Sequence, residues 1–372
     1  MVFVKGLALP PNKLVILAGA GLSCGAGLPA SVGLAEGFKS LLLSKTGAED
    51  YINALRQLHY YLEGAIRFQK AKLGLDPAGS INIEELCIAA RTLHQREQSS
   101  LAPFVSGWHP HLEHLIRSSG VQDLLANYID ELYRHINTAL ATPETQQIAF
   151  LDRFVEWSRA FKGLHFFTLN YDTSLEEAVS SSCQHTEEVS LIDGFDDHGG
   201  AWKPELLNSD KASFFLYKLH GSLDWFNEPE FGLVCRRKLE PERVQEMEGD
   251  RPHLIFGIES KLTGQQPFFT LTHKFYERLS SASLLLVIGY SFADVHINSL
   301  IEQSTLRNPF LKVLVANRNA TSIVSNHEFV KRLRNVMPTD GDARKVIEDG
   351  TLLQVAKNLI CQVSEEKGEI PF

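Results

Sequence analysis

The stretch Leu14-Val15-Ile16-Leu17-Ala18-Gly19-Ala20-Gly21-Leu22-Ser23-Cys24-Gly25-Ala26-Gly27-Leu28-Pro29 decides the fold. Five apolar residues run without interruption into glycines, the pattern of a strand buried on both faces that feeds a loop. In a parallel α/β sheet such a loop brings backbone N–H groups to the carboxyl edge. Only residues as small as Gly and Ala let an anion approach them closely. A helix starting here would turn its positive dipole end to that anion, and the Ser23 hydroxyl adds a donor. Taken alone, the segment also admits a tight strand-to-helix turn that binds nothing, the lesser of the two readings.

Working outward, apolar residues recur at helical spacing from about Pro29 to Phe161, as in Ile52, Leu55, Leu58, Leu62 and Ile66, or Leu124, Leu125, Ile129, Leu132 and Ile136. Breaks are expected at Asp76-Pro77, Gly79-Ser80, Pro103, Pro110 and Pro143. Strands are expected again at Leu164–Leu169, Phe214–Leu219, Ser283–Ile288 and Lys312–Ala316. Gly221 to Gly264 reads as a hairpin-and-loop excursion near the pocket, and Asn326 to Phe372 as amphipathic helices with a polar end. The predicted class is α/β: a Rossmann-like parallel sheet with helices on both faces, plus a large helical insertion after the first βα unit. The boundaries expected are 1–29 and 162–372 for the sheet domain and 30–161 for the insertion, with no fused effector domain.

The 372 residues are 44% hydrophobic and 22% charged, the composition of a globular chain with one large core or two smaller ones. A net charge of -9 argues against gripping nucleic-acid backbones. The longest apolar runs, such as Leu284 to Ile288, fall far short of the ~20 residues that span a bilayer, so no membrane segment is expected. No secretion signal is expected in Met1 to Pro11. The five cysteines (Cys24, Cys87, Cys183, Cys235, Cys361) never form a CxxC pair, which points to reduced thiols in the cytoplasm rather than a disulfide scaffold or structural zinc.

Polar residues follow the other apolar strands. Thr168-Leu169-Asn170-Tyr171-Asp172 ends one, Lys218-Leu219-His220-Gly221-Ser222 another, and Gly289-Tyr290-Ser291-Phe292 a third, with Asp294, His296 and Asn298 at the next helix start. A further strand ends at Ala316-Asn317-Arg318, offering an amide to a ribose hydroxyl and a cation to a phosphate. Carboxyl ends of parallel strands converge on the ligand crevice. Singly, Asn170 and Asp172 fit a helix N-cap and a first-turn acid, and His220 fits a core histidine. Placed together after apolar strands, they form a candidate site. His109, His111 and His114 fit a solvated helix start better than a metal site. The loop Asp193 to Gly200, with Asp196, Asp197 and His198, fits a chain turn better than a cation site. Cys24 fits a small packing residue.

The order GAGxSxxxGxP, TxNxD, HG, G-x-S and a last-strand Asn resembles the sirtuin superfamily over Leu14–Pro29 and most of Leu164–Asn317. The forms TLNYD, KLHGSLDW and GYSFADVHIN resemble the prokaryotic sirtuin-like branch of antiviral defence systems. The resemblance implies NAD as substrate. Gly19, Ala20, Gly21 and Ser23 would hold the diphosphate, and Gly289, Ser291 and Asn317 the adenosine half. Asn170 would position the reacting ribose or a water, Asp172 would hold the nicotinamide carboxamide, and His220 would act as base. Deacylating sirtuins usually carry two CxxC zinc pairs and a Phe-Arg pair after the GxP element. Here both are missing, since Pro29 is followed by Ala30, Ser31 and Val32. Water then becomes the expected acceptor, making an NAD hydrolase without zinc the leading expectation. A zinc-free deacylase or ADP-ribosyltransferase is one alternative, and a non-catalytic NAD or ADP-ribose binding or assembly subunit another. An enzyme that destroys NAD needs restraint, so a homo-oligomer built through the insertion is expected, or a partner such as a HerA-type hexameric ATPase.

Overall fold

The computed structural model describes residues 13–97, 110–120, 123–183, 189–196, 200–209, 213–228, 233–237, 251–255 and 265–368. The chain divides into two compact units. The first holds Met1–Leu28, Ala141–Lys238 and Pro252–Phe372; the second holds Pro29–Leu140 and Leu239–Arg251.

The first unit is built on strands β1 (Leu14–Ala18), β2 (Leu164–Thr168), β3 (Leu191–Ile192), β4 (Phe214–Lys218), β7 (Leu284–Ile288), β8 (Lys312–Asn317) and β9 (Val336–Asp340). They form a seven-stranded sheet in the order β3-β4-β2-β1-β7-β8-β9, with every pairing parallel. Strands β5 (Trp225–Glu228) and β6 (Leu233–Arg236) form the separate antiparallel hairpin expected in the excursion after β4. The rest of that excursion, 229–232, 238–250 and 256–264, lies outside the described residues.

Alternate side chains of each central strand enter different cores, which is why those strands read as unbroken apolar runs. Leu14, Ile16 and Ala18 join Phe166, Leu216, Leu286 and Leu314 on one face, covered by Phe154, Trp157, Phe161, Val179, Ile347, Leu352 and Ile360. Val15 and Leu17 join Phe167, Tyr217, Leu285 and Val315 on the other, covered by Leu271, Phe275, Leu279 and Ile301. Each such side chain contributes about 1.5–3 kcal/mol by leaving water. One polar group is enclosed with them: His165 lies 3.0 Å from the Tyr217 hydroxyl, and burial holds its pKa down to about 3, so the ring stays neutral.

Two expectations are corrected here. The helices Thr145–Ile148 and Arg153–Ala160 belong to the sheet unit and not to the insertion, so the second boundary falls after Leu140 rather than after Phe161. The cause is packing: Phe154 meets Phe166 of β2 edge-on at 4.9 Å between ring centroids. Helical periodicity specifies an apolar face without saying which core it meets. The tail expected to be wholly helical contains β9, an edge strand of sequence Val-Met-Pro-Thr-Asp that is only half-buried. Pro338 is tolerated there because an edge strand need not donate on both sides.

The second unit contains the helices Ser31–Ser44, Glu49–Lys72, Ile83–Glu97, Pro110–Ser118 and Leu124–Ala139. Both sequence-predicted stripes are buried in it. Asp123 caps the last helix by accepting from Ala126 N–H, and Pro110 stands at a helix start where its missing donor costs nothing. Phe38 packs edge-on against Tyr128, whose hydroxyl lies 2.8 Å from His59 Nδ1. No helix among the described residues is long and apolar enough to cross a membrane.

Candidate active site

The site follows from strand register. Ala18 pairs with Thr168 and Ile288, Thr168 with Lys218, and Ile288 with Ala316. Gly19, Leu169, Leu219, Gly289 and Asn317 therefore stand in one row along the carboxyl edge. The chain reverses its direction of growth between β1 and β7, so this row crosses the topological switch point where open α/β sheets bind ligands.

The two glycine turns meet at that point. Gly19 N–H donates to Ile288 O at 2.9 Å and Gly21 N–H to Gly289 O at 2.8 Å. A Cβ on Gly21 would stand 2.6 Å from Gly289 Cα, and Gly289 has φ +62. The glycines are thus required for contact between two backbones, and the amides of Gly19 and Gly21 are already engaged by carbonyls. That differs from the sequence expectation that they face a diphosphate. The helix they open, Ala20–Gly25, is only six residues long.

On the β1–β2 side the polar side chains are joined in series. The Asn170 amide donates to Gly19 O at 3.0 Å and to Ser23 Oγ at 2.8 Å. Ser23 in turn donates to Asp172 Oδ2 at 2.6 Å, and Asp172 Oδ1 accepts from Ser174 N–H at 3.2 Å. Asp172 is therefore both a turn-closing carboxylate at a helix start and a member of this chain of bonds. Ser23, Thr168, Asn170, Asp172 and Glu176 line a cavity whose water-accessible core is ≈ 10 Å³, about the room one water needs. Beneath it, the buried Lys218 ammonium donates to Asp172 O and to Glu176 Oε1, each at 2.5 Å. Burial pushes the Glu176 carboxyl up to about 7 against the opposing pull of Lys218.

Linking the ends of β4 and β7, His220 is 4% exposed, and its Nε2 lies 2.9 Å from Asp294 Oδ2. The other oxygen of Asp294 accepts from His296 N–H and Ile297 N–H, capping the helix Val295–Arg307. Asn298 donates to Phe292 O at 2.7 Å and accepts from the Tyr290 hydroxyl at 3.0 Å, holding the turn in which Phe292 has φ +58. Ile255 N–H donates to His220 O and Ile255 O accepts from Tyr171 OH, so the returning excursion packs beside the histidine as expected.

The remaining predicted residues are placed more loosely. Ser291 is exposed, and Asn317 is half-buried with its amide 3.4 Å from Tyr290 O. Arg318 is paired through Nε and Nη2 to Asp342 Oδ2 at 3.0 and 2.6 Å. Burial pushes the Cys24 thiol up, keeping it protonated, and all five cysteines are free. Asp193 pairs with Arg236 and Asp196 with Lys203, so both close the turn; Asp197 and His198 lie outside the described residues. His114 is exposed, while His109 and the His111 side chain lie outside the described residues.

Sequence reasoning missed the roles of Asp294, Lys218 and Glu176. An Asp before a helical stripe reads as an N-cap, which conceals its second oxygen. A lysine closing an otherwise apolar strand is the one signal that could have pointed to a buried carboxylate partner.

Fold and site together define a Rossmann-like α/β protein with a polar cluster at its switch point. Residues 164–331 match the family model described as the SIR2-like domain. That match includes Asn170, Asp172, His220, Gly289, Ser291 and Asn317. No curated protein matches the chain. Among solved structures, the chain is similar to a Sir2 homolog–NAD complex, with 14% identity over 93% of this chain and 90% of that one and a TM-score of 0.46. It is also similar to Sir2Tm bound to a propionylated peptide, with 13% identity over 96% and 94% and a TM-score of 0.37.

Proposed function

We propose that this chain is an NAD hydrolase that cleaves the nicotinamide–ribose bond to give nicotinamide and ADP-ribose. The observation that carries the reading is the placement of Asn170, Asp172 and His220 after the neighbouring strands β2 and β4 beside the switch point, with Asn170 and Asp172 joined through Ser23. Nicotinamide departs with the bonding electron pair, which neutralises its ring nitrogen and leaves an oxocarbenium-like ribose. Fixed dipoles such as the Asn170 amide stabilise that charge best when they need no reorganisation. Water then adds to C1′ and His220 takes the proton.

The match to the SIR2-like domain supports NAD as the substrate, while the missing CxxC pairs favour water over an acyl oxygen as acceptor. The sheet unit, Met1–Leu28, Ala141–Lys238 and Pro252–Phe372, would form the NAD-binding domain, with Gly289, Ser291 and Asn317 serving the adenosine half. The resemblance of TLNYD, KLHGSLDW and GYSFADVHIN to the antiviral branch extends the proposal to depletion of NAD in phage defence. In that reading a homo-oligomer or a HerA-type ATPase partner restrains the enzyme. The test is nicotinamide release from NAD by the purified chain beside His220→Ala and Asn170→Ala. Release lost in both variants supports the reading. Deacylation of peptides with no nicotinamide released in their absence would overturn it.

A further inference from the structure

Two buried groups of the site remain unexplained by the scheme above: the Asp294 carboxylate and the second nitrogen of His220. Both lie in the first unit, at the carboxyl ends of β7 and β4. The Asp294 side chain is 8% exposed and that of His220 5%. Asp294 Oδ1 is fixed by two helix amides, so Oδ2 can move little relative to the backbone. Tyr290 OH accepts from Asp294 N–H at 3.1 Å, which fixes the residue from the other side. Oδ2 then stands 2.9 Å from His220 Nε2 as a close charge rather than a formed hydrogen bond, since both ring nitrogens of His220 are buried with no hydrogen-bond partner among the described residues.

We propose that Asp294 is the positioning residue of His220, holding its proton on Nε2 and leaving Nδ1 as the atom that takes the proton from water. This rests on the hydrolase reading. A carboxylate beside Nε2 repels a lone pair there and attracts an N–H, so the neutral ring adopts the tautomer with its lone pair on Nδ1. When water adds to the ribose C1′, its O–H proton passes to Nδ1. The imidazolium that results is stabilised by the negative charge already waiting at Nε2. Asp294 itself touches no reacting atom. A helix cap alone would explain Oδ1, but it gives no reason for the second oxygen to be buried against a histidine.

The variants that separate these roles are Asp294→Asn and Asp294→Ser. Both side chains cap helices well, and both remove the charge facing His220. Steady-state nicotinamide release is expected to fall about 100-fold in kcat for each, with KM for NAD within about threefold. Release within threefold of the parent in both would reduce Asp294 to a cap and overturn the proposal. The second measurement is independent of turnover. In the full chain with ¹⁵N-labelled histidine, the His220 ring, assigned by its loss in His220→Ala, is expected to carry its proton on Nε2 and to lose that preference in Asp294→Ser. A neutral ring protonated on Nδ1 in the parent would overturn the proposal. Should the parent release no nicotinamide, the hydrolase reading fails by itself, and the tautomer still decides whether Asp294 sets the state of His220.

Discussion

The two sides of the switch point are built differently. On the β1–β2–β4 side, Ser23, Asp172, Lys218 and His220 are each at most 9% exposed. Ser23, Asn170 and Asp172 are joined by bonds of 2.6–2.8 Å. On the outer β7–β8 rim, Ser291 is exposed, the Asn317 side chain makes two contacts of 3.4 Å, and the Arg318 side chain is 68% exposed. Tyr290, Asn298 and the Asp294 side chain after β7 are instead buried in the group around His220. The difference matches two physical demands. Groups that meet a developing charge must be held before it appears, whereas groups that only bind can be ordered by the ligand itself. In the proposed reading the buried side serves the chemistry and the exposed side the binding.

The largest expected effect lies on the seam between the sides. Gly289→Ala places a Cβ 2.6 Å from Gly21 and holds a non-glycine residue at φ +62. Neither backbone can yield without parting β1 from β7, so a loss of about 4 kcal/mol or more in urea unfolding is expected. A variant as stable as the parent would show that the two sides are not rigidly joined. Next comes Ser23→Ala, which removes the centre of the buried series and leaves Asp172 Oδ2 and the Asn170 amide each short of a partner. A fall of about 30-fold in kcat with little change in KM is expected, together with about 1–3 kcal/mol of stability. If KM rises and kcat holds, Ser23 serves the diphosphate, as its sequence motif implies, and the buried series is not part of the chemistry.

How much of this was legible depends on what each residue answers to. β1, β2, β4, β7 and β8 were readable because a strand covered on both faces must be apolar throughout. β9 was not, since the edge sequence Val336-Met337-Pro338-Thr339-Asp340 answers to one neighbour and to solvent. Asn170, Asp172 and His220 stood out as polar residues where apolar strands stop. Their partners did not: Lys218 and Glu176 are 42 residues apart, and nothing local to either names the other. Asp294 was visible only in the simpler of its two roles.

A third prediction tests the floor beneath the buried series. Glu176 has its carboxyl raised to about 7 in the folded protein by burial, against an ordinary value of 4.5. A group raised on folding adds stability while protonated and loses that contribution as pH climbs through the folded value. Stability should therefore decline between about pH 4.5 and 7, by about 1–3 kcal/mol once solvent relaxation is allowed for. In Glu176→Gln this part of the slope disappears. A parent and variant with parallel stability–pH profiles would mean that Lys218 keeps Glu176 ionised throughout, making the floor a permanent ion pair.

The smallest effect is expected on the exposed side. Ser291 carries a binding role implied by the resemblance and Arg318 one read from its strand end, yet the first faces solvent and the second is already held by Asp342. Exposed polar groups of this kind contribute little singly, because water competes for every bond they make. Ser291→Ala is expected to raise KM for NAD less than about threefold and to leave kcat unchanged, a difference of about 0.5 kcal/mol. Arg318→Ala should do no more, and its loss of the Asp342 pair should be erased by added salt. A tenfold rise in KM from either change would mean that the loops after β7 and β8 close over the nucleotide. The binding side would then be as constructed as the buried side, with its order created only when NAD arrives.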